Sequence, residues 1–174
     1  KRPCGHGSCM NTIGGYTCRC YAGWTGQNCD QTKGCQRGWK EHKNHCYKFV
    51  RDEVSWSTAA SDCRDYAAHL ASIKGWEENN FITHLIRDAP GDNVWIGLRR
   101  IGGSLKWSDG SRATYRNWYP GEPNNDFWNG GEHCVNIYAK SGSNWAKTVK
   151  WGRGKWNDLN CGRKLPYLCK KVNK

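Results

Sequence analysis

GEPNNDFWNGGEHC, residues 121–134, and KWND, residues 155–158, decide how this chain is to be read. Glu122 and Asn124 flank Pro123, Glu132 stands two residues before Cys134, and Asn157 and Asp158 follow Trp156. These five polar side chains all offer oxygen, and no imidazole or thiolate is among them. A hard cation such as calcium takes about 6 to 8 oxygens at roughly 2.3 to 2.6 Å, and carboxylates with side-chain amides supply them. The pattern predicts a calcium cage built from Glu122, Asn124, Glu132, Asn157 and Asp158, against the plainer reading of these residues as ordinary loop polars.

The order of these motifs carries a resemblance. Glu-Pro-Asn, then a glutamate two residues before a cysteine, then Trp-Asn-Asp and a closing cysteine pair, is similar to the calcium site of mannose-type C-type lectin domains. WIGL at Trp95 to Leu98, Gly38-Trp39 before Cys46-Tyr47, and Trp118 ahead of Glu122 resemble further marks of that domain. The resemblance covers about residues 35 to 171. It implies an α+β fold with two helices, short antiparallel strands and a long calcium-binding loop. It also implies the disulfides Cys35–Cys46, Cys63–Cys169 and Cys134–Cys161 and a cis peptide at Pro123.

The resemblance extends to ligand choice. Five protein ligands leave calcium coordination open for two neighbouring pyranose hydroxyls, each also hydrogen-bonded to a ligand side chain. An ionised Glu122 can only accept a hydrogen bond, whereas the Asn124 amide can donate one. In the family this order goes with equatorial 3- and 4-hydroxyls, so mannose, fucose, glucose or N-acetylglucosamine is expected and galactose is not. Asn125 and His133 stand where relatives with a second calcium carry acidic ligands, and Arg99, Arg100, Gly102 and Gly103 stand nearby upstream. One lectin-domain calcium is therefore expected, with Asp126 as the residue that would argue for a second.

CGHGSCMNTIGGYTCRCYAGWTGQNC, residues 4–29, resembles an EGF-like module. A piece this small depends on disulfides in place of a core. The match starts at the family's second cysteine, which implies Cys4–Cys18 and Cys20–Cys29 and leaves Cys9 without its partner. The readings left open are a chain cut upstream, which we favour, or a free or intermolecular Cys9. Cys9-x-Asn11 with Tyr16, Cys18 and Cys20 also looks like the segment in which calcium-binding modules of this kind are hydroxylated, although the acidic ligands that precede their first cysteine are missing. The expected domains are residues 1–33 and 34–174.

Eleven cysteines in 174 residues, without zinc-ligand spacing, point to disulfides and an extracellular, secreted setting. The chain starts at Lys1 and has no apolar run near 18 residues, so a signal peptide or membrane span is expected to be absent or to lie outside it. It contains no Asn-x-Ser/Thr sequon. Trp56, Ala60, Cys63, Ala67 and Leu70 recur at helical spacing, as do Phe81, Ile82, Leu85 and Ile86 before Pro90-Gly91, and predict two amphipathic helices. Strands are expected over 46–50, 94–98, 134–139 and 167–170, with a long loop over 99–133.

The formal charge of +12 is uneven: residues 1–34 carry +3, residues 35–133 are neutral, and residues 134–174 carry +9. Lys140, Lys147, Lys150, Arg153 and Lys155 lie in what reads as an enlarged hairpin loop, and within a Debye length of about 8 to 10 Å they could hold sulfate, carboxylate or phosphate. Hence the alternative function, a sulfated-glycan or matrix-binding module in which Lys147, Lys150, Arg153 and Lys155 contact acidic ligands. A solvated face is the plainer account.

Trp39, Trp56, Trp95, Trp107, Trp118 and Trp156 are expected in the core. Trp128 lies between the two glutamates and is expected to stack on the apolar face of a sugar. Trp145 and Trp151 raise the same expectation from the basic insert.

The expected partners are cell-surface or microbial glycans, with no nucleic acid. One shallow sugar site belongs near millimolar affinity, about 4 kcal/mol, so repeated copies or an oligomer are expected. An enzyme is not expected. Carboxylates committed to a cation shuttle protons poorly, and no histidine pairs recognisably with a nucleophile.

Overall fold

The computed structural model describes residues 3–32, 34–126, 130–143 and 150–173. The chain divides into two compact units, Lys1–Cys46 with Val172–Lys174, and Tyr47–Lys171.

The first unit holds β1 (Gly7–Thr12), β2 (Gly15–Cys20), β3 (Trp24–Thr25), β4 (Gln31–Thr32) and β5 (Lys40–His42). β1 and β2 form an antiparallel hairpin with Cys9 opposite Cys18, and β3 pairs with β4. Little of it is apolar and buried: within 3–32 the buried hydrophobic residues described are Cys4 and Cys29, while Met10, Ile13, Tyr16 and Tyr21 are exposed. Covalent bonds hold what burial cannot. Cys20 is bridged to Cys29 and Cys35 to Cys46. The sulfur of Cys4 meets both Cys18 and Cys9. Cys9, expected to lack a partner, thus crowds the Cys4–Cys18 bridge. One sulfur takes one disulfide partner, and an odd count of eleven cysteines leaves one over.

The second unit continues through β6 (His45–Val54), α1 (Trp56–Asp65), β7 (His69–Leu70), α2 (Trp76–Leu85), β8 (Asn93–Ile101), β9 (Ser104–Trp107), β10 (Cys134–Tyr138), β11 (Gly142–Ser143), β12 (Lys150–Trp151), β13 (Trp156–Leu159) and β14 (Leu165–Val172). Its sheet runs β13-β10-β8-β14-β6, with β7 on β14 and β9 on β8. The pair β14–β8 is parallel, a departure from the expected antiparallel strands.

Ser55 caps α1, its hydroxyl accepting from Thr58 N at 3.3 Å. Trp56, Ala59, Ala60 and Cys63 form the buried stripe of that helix. The expected continuation through Ala67 and Leu70 is overturned: Ala67 is left-handed at φ 51, and Leu70 is already in β7. The pattern also missed the first turn of α2, which starts at Trp76, five positions before Phe81. The expected 99–133 loop is shorter than predicted, because β9 folds back on β8 within it, placing Leu105 opposite Arg100.

Gly97 of WIGL has a steric reason. A Cβ there would run into Leu70 O and stand 2.7 Å from Ser108 Oγ, atoms that hydrogen-bond each other at 3.0 Å. The core gathers Tyr47, Ile82, Ile86, Val94, Ile96, Leu98, Trp107, Val135, Ile137, Trp156 and Leu168. The Cys63–Cys169 bridge ties α1 to β14 across 106 residues, and chain entropy gives such a loop about 4 to 5 kcal/mol. Of the tryptophans expected in the core, Trp118 is partly buried and packs against it; Trp76, not among them, is 65% exposed.

A polar cluster lies beside this core. Lys170 Nζ donates to Glu78 Oε1 and Ser72 O, Tyr47 Oη donates to the same Glu78 oxygen, and Lys74 N donates to Oε2. Burial works to raise the Glu78 carboxyl, but these donors outweigh it and hold the group below its ordinary value.

Candidate functional site

Trp156 places the two residues that follow it. Its ring is fully buried and meets Trp107, Tyr115 and Trp118 edge-on, with centroids 5.7, 5.6 and 5.8 Å away. Its Nε1 donates to Asn79 Oδ1 at 2.8 Å. Each edge-on pair adds about 0.5 to 1.5 kcal/mol beyond burial. Asn157 and Asp158 continue β13, where they lie opposite Asn136 and Val135. The Cys134–Cys161 bridge fastens β10 to the segment just after β13, so Glu132 and Asp158 are held from one covalent joint.

The loop 121–126 closes over Asp158. The Glu122–Pro123 peptide is cis, and Asn125 is left-handed at φ 49. Asp158 Oδ1 accepts from Asn124 N at 3.1 Å, and Oδ2 accepts from Asn125 N at 3.0 Å. Glu122 accepts from Asn124 twice, from N at 3.1 Å and from Nδ2 at 3.0 Å. Asp126 N donates to Asn124 Oδ1 at 2.9 Å and to Glu132 Oε2 at 3.3 Å, while Glu132 N donates to Asn125 Oδ1 at 3.2 Å. Asn157 Nδ2 donates to Asp158 O at 2.9 Å. The structure thus links Glu122, Asn124, Glu132 and Asp158 from three segments, with Asn157 next to Asp158 on β13 and bonded to its backbone oxygen. Glu132, Asn157 and Asp158 are buried.

Carboxylates outnumber cations in this cluster, whose positive neighbours are Arg100 beside Asp158 and Arg163 acting on Glu132. Burial, followed by the hydrogen bond and charge of Asp158, pushes the Glu122 carboxyl up to about 7. Burial also raises Glu132, with the Asp158 and Asp126 carboxylates acting the same way. Among the described residues, no three acidic or histidine side chains gather their ligand atoms within 4.8 Å of one another. Backbone N–H groups of Asn124, Asn125 and Asp126 lie among the acidic side chains and donate to them. An all-oxygen set of partly buried carboxylates and amides fits a hard divalent cation.

Two neighbours went undervalued in the sequence. Asn125, noted there for the charge it lacks, supplies both an N–H to Asp158 and an oxygen to Glu132 N. Arg100, noted for the same reason, sends Nη2 to 3.6 Å from Asp158 Oδ2. An aspartate paired with an arginine from a separate strand leaves no local sequence signature.

The basic residues have internal tasks. Arg153 Nη2 donates to Thr83 O at 3.0 Å, and Lys155 Nζ donates to Asn117 Oδ1 at 2.8 Å. The backbone of Lys150 lies in β12 opposite Ser143, and its side chain is outside the described residues. Lys147, Trp128 and Trp145 are also outside the described residues. Trp151 stacks near Tyr138 at 6.4 Å.

Comparison with known proteins shows what shares this arrangement. The family model of the lectin C-type domain matches residues 52–171, and that of the EGF-like domain matches residues 1–28. C-type mannose receptor 2 of Mus musculus is 34% identical over 143 residues, and so is that of Rattus norvegicus. Each alignment takes 80% of this chain, which spans only 9% of the length of those relatives. The cow C-type carbohydrate-recognition domain of CD23, solved in the presence of GlcNAc2Man3 oligosaccharide, is 33% identical with a TM-score of 0.66, covering 80% of this chain and 97% of that one. A calcium-independent type II antifreeze protein is 27% identical with a TM-score of 0.64, covering 80% of this chain and 95% of that one. A mannose receptor and a carbohydrate-recognition domain thus stand among these relatives beside an antifreeze protein, and none of those named is an enzyme. No described helix is long and apolar enough to cross a membrane.

Proposed function

The chain belongs to the C-type lectin domain family, with an EGF-like module at its N-terminal end, and from that premise we propose a calcium-dependent lectin for mannose-, fucose- or N-acetylglucosamine-type sugars. The observation that carries this reading is the folding of the loop 121–126 onto Asp158 and Glu132, whose carboxylates accept from the backbone N–H groups of Asn124, Asn125 and Asp126, so that oxygen-bearing side chains of the loop stand beside them. Glu122, Asn124, Glu132, Asn157 and Asp158 would hold the ion. Calcium, when bound, supplies coordination positions for two neighbouring pyranose hydroxyls. Glu122 accepts a hydrogen bond from one hydroxyl, and Asn124 donates to the other. Without sugar these two side chains satisfy each other, Nδ2 to Oε1 at 3.0 Å, so a sugar diol exchanges one polar pairing for another.

The fold alone does not carry the calcium requirement, since a calcium-independent antifreeze protein shares it. The donor set does, because so many carboxylates around a buried Asp158 call for a counter-ion. The presence of a mannose-containing oligosaccharide with the cow CD23 domain supports the sugar class. A working boundary near residue 33, an extracellular and secreted setting, and avidity through repeated copies complete the proposal. The polyanion reading is weaker, because Arg153 and Lys155 are engaged with Thr83 O and Asn117 Oδ1.

A glycan array carrying neutral and sulfated sugars, probed in millimolar calcium and again in EDTA, tests the proposal. Binding to mannose- or fucose-type glycans that disappears in EDTA is expected. Retention confined to sulfated polymers in EDTA would replace this reading with the polyanion one.

A further inference from the structure

We propose that Arg100 is a tethered counter-ion of the cage, one that occupies the neighbourhood of Asp158 in the metal-free protein and opposes calcium there. The inference rests on the calcium reading above and adds the residue that sets its threshold.

Three observations lead to it. First, Arg100 reaches Asp158 from two strands away. It lies on β8 and Asp158 on β13, with β10 between them. The strand β10 is irregular between Cys134 and Asn136, and Arg100 N donates to His133 O at 2.7 Å. The arginine is thereby fixed to the segment that carries Glu132. Second, its neighbour points elsewhere: the Arg99 guanidinium lies over the Trp56 ring at 5.5 Å, as alternation along a strand requires. Arg100 is therefore the arginine of this pair that faces Asp158, while Arg163 acts on Glu132 from beyond β13. Third, the pairing is unlike an optimised structural salt bridge. The guanidinium approaches through Nη2 at 3.6 Å, without the bidentate fork that arginine makes with carboxylates, and its buried Nε has no hydrogen-bond partner. Asp158 meanwhile is satisfied by two backbone N–H groups.

An arginine held close to a buried carboxylate, yet poorly bonded to it, contributes mainly its charge. The Asp158 side chain is 2% exposed and that of Arg100 25%, so solvent screens this pair less than it screens a surface pair. In the metal-free protein the positive charge offsets the repulsion among Glu122, Glu132 and Asp158. When a divalent cation arrives at the same carboxylates, the same positive charge repels it. Arg100 thus stabilises the empty cage and weakens the filled one, which raises the calcium concentration needed for loading.

The test uses the whole chain with Arg100→Gln and Arg100→Lys, calcium titrated calorimetrically, and thermal unfolding followed in EDTA. For Arg100→Gln, calcium affinity should rise about tenfold, as expected for removing a like charge at this range and depth, while Tm in EDTA falls. Arg100→Lys keeps the charge and should stay near wild type in both. In the wild-type protein, the Arg100 guanidinium 15N resonance, assigned by its loss in Arg100→Lys, should move on adding calcium. This arm holds even where Arg100→Gln does not fold. Equal or weaker calcium affinity in Arg100→Gln, or an unmoved resonance, overturns the tethered counter-ion and leaves the cage standing. Absence of calcium binding in both wild type and Arg100→Gln overturns the cage and this inference together. Binding by Arg100→Gln alone would mean that the arginine keeps the cage closed to calcium.

Discussion

β1 and β8 are both strands of ordinary length, yet opposite means hold them. All six residues of Gly7–Thr12 are at least partly solvent-accessible, and their hairpin is fastened by cysteines at 4, 9, 18, 20 and 29. In Asn93–Ile101 the run Val94 to Leu98 is buried on both faces of the strand. A small module cannot remove enough apolar surface from water to offset the entropy of ordering its chain, so it relies on covalent restraint of the unfolded state. The unit around β8 can, and its disulfides add to a core that already exists. The loops of the candidate site belong to that second unit, where rigid strands can position them.

The sharpest way to break this comparison is to remove one bridge from the first unit. Cys20→Ser with Cys29→Ser should unfold residues 7–20 outright, seen as complete loss of amide protection by hydrogen exchange, while β8 and β10 stay protected. Surviving protection in the hairpin would show that more than disulfides holds it. Next in size is the aromatic hub. Trp156→Ala should lower the urea stability of the second unit by about 3 to 5 kcal/mol and release Asn157 and Asp158 from their register. A loss under about 1 kcal/mol would mean that the core does not organise the site.

A smaller effect is expected at Gly97. The alanine side chain would press on Leu70 O and Ser108 Oγ, so Gly97→Ala should cost about 1 to 3 kcal/mol in the same measurement. The smallest concerns acid. Because the folded Glu78 carboxyl sits below its ordinary value, it stabilises the fold above its unfolded pKa of roughly 4.3, and that contribution is lost as pH falls through the folded value. Thermal unfolding between acid and neutral pH should show a Tm decline on the acid side that shrinks in Glu78→Gln. An unchanged acid limb in that variant would remove Glu78 from the account.

Much of the architecture is legible locally. The stripe Trp56, Ala60, Cys63 and the apolar run Val94 to Leu98 announce a helix and a buried strand, because side-chain periodicity is set by backbone geometry. The end of α1 was not legible. Ala67 and Leu70 continue the helical spacing, and the helix stops because Leu70 is wanted by β7 and β14. The fold-back of β9 over 104–107 was hidden for a related reason: Ser104, Leu105, Lys106 and Trp107 read as loop until a partner strand exists to bond them.

The candidate site divides in the same way. Glu122, Asn124, Glu132, Asn157 and Asp158 are recognisable one after another, because oxygen chemistry belongs to the residue types themselves. Their grouping depends on a loop whose backbone N–H groups find Asp158 across more than thirty positions. The rise of Glu122 to about 7 likewise comes from burial and from Asp158, neither of which is a neighbour in sequence.

The sequence by itself determined the two kinds of module, the oxygen-rich donor set and the dependence on disulfides, since each follows from composition and short spacing. Tertiary structure alone decided that Arg100 stands against Asp158, that Trp156 anchors the residues after it, and that Arg153 and Lys155 bond Thr83 O and Asn117 Oδ1. The physical reason is that charge pairing and burial act over a few ångströms of space, whichever part of the chain supplies the partner.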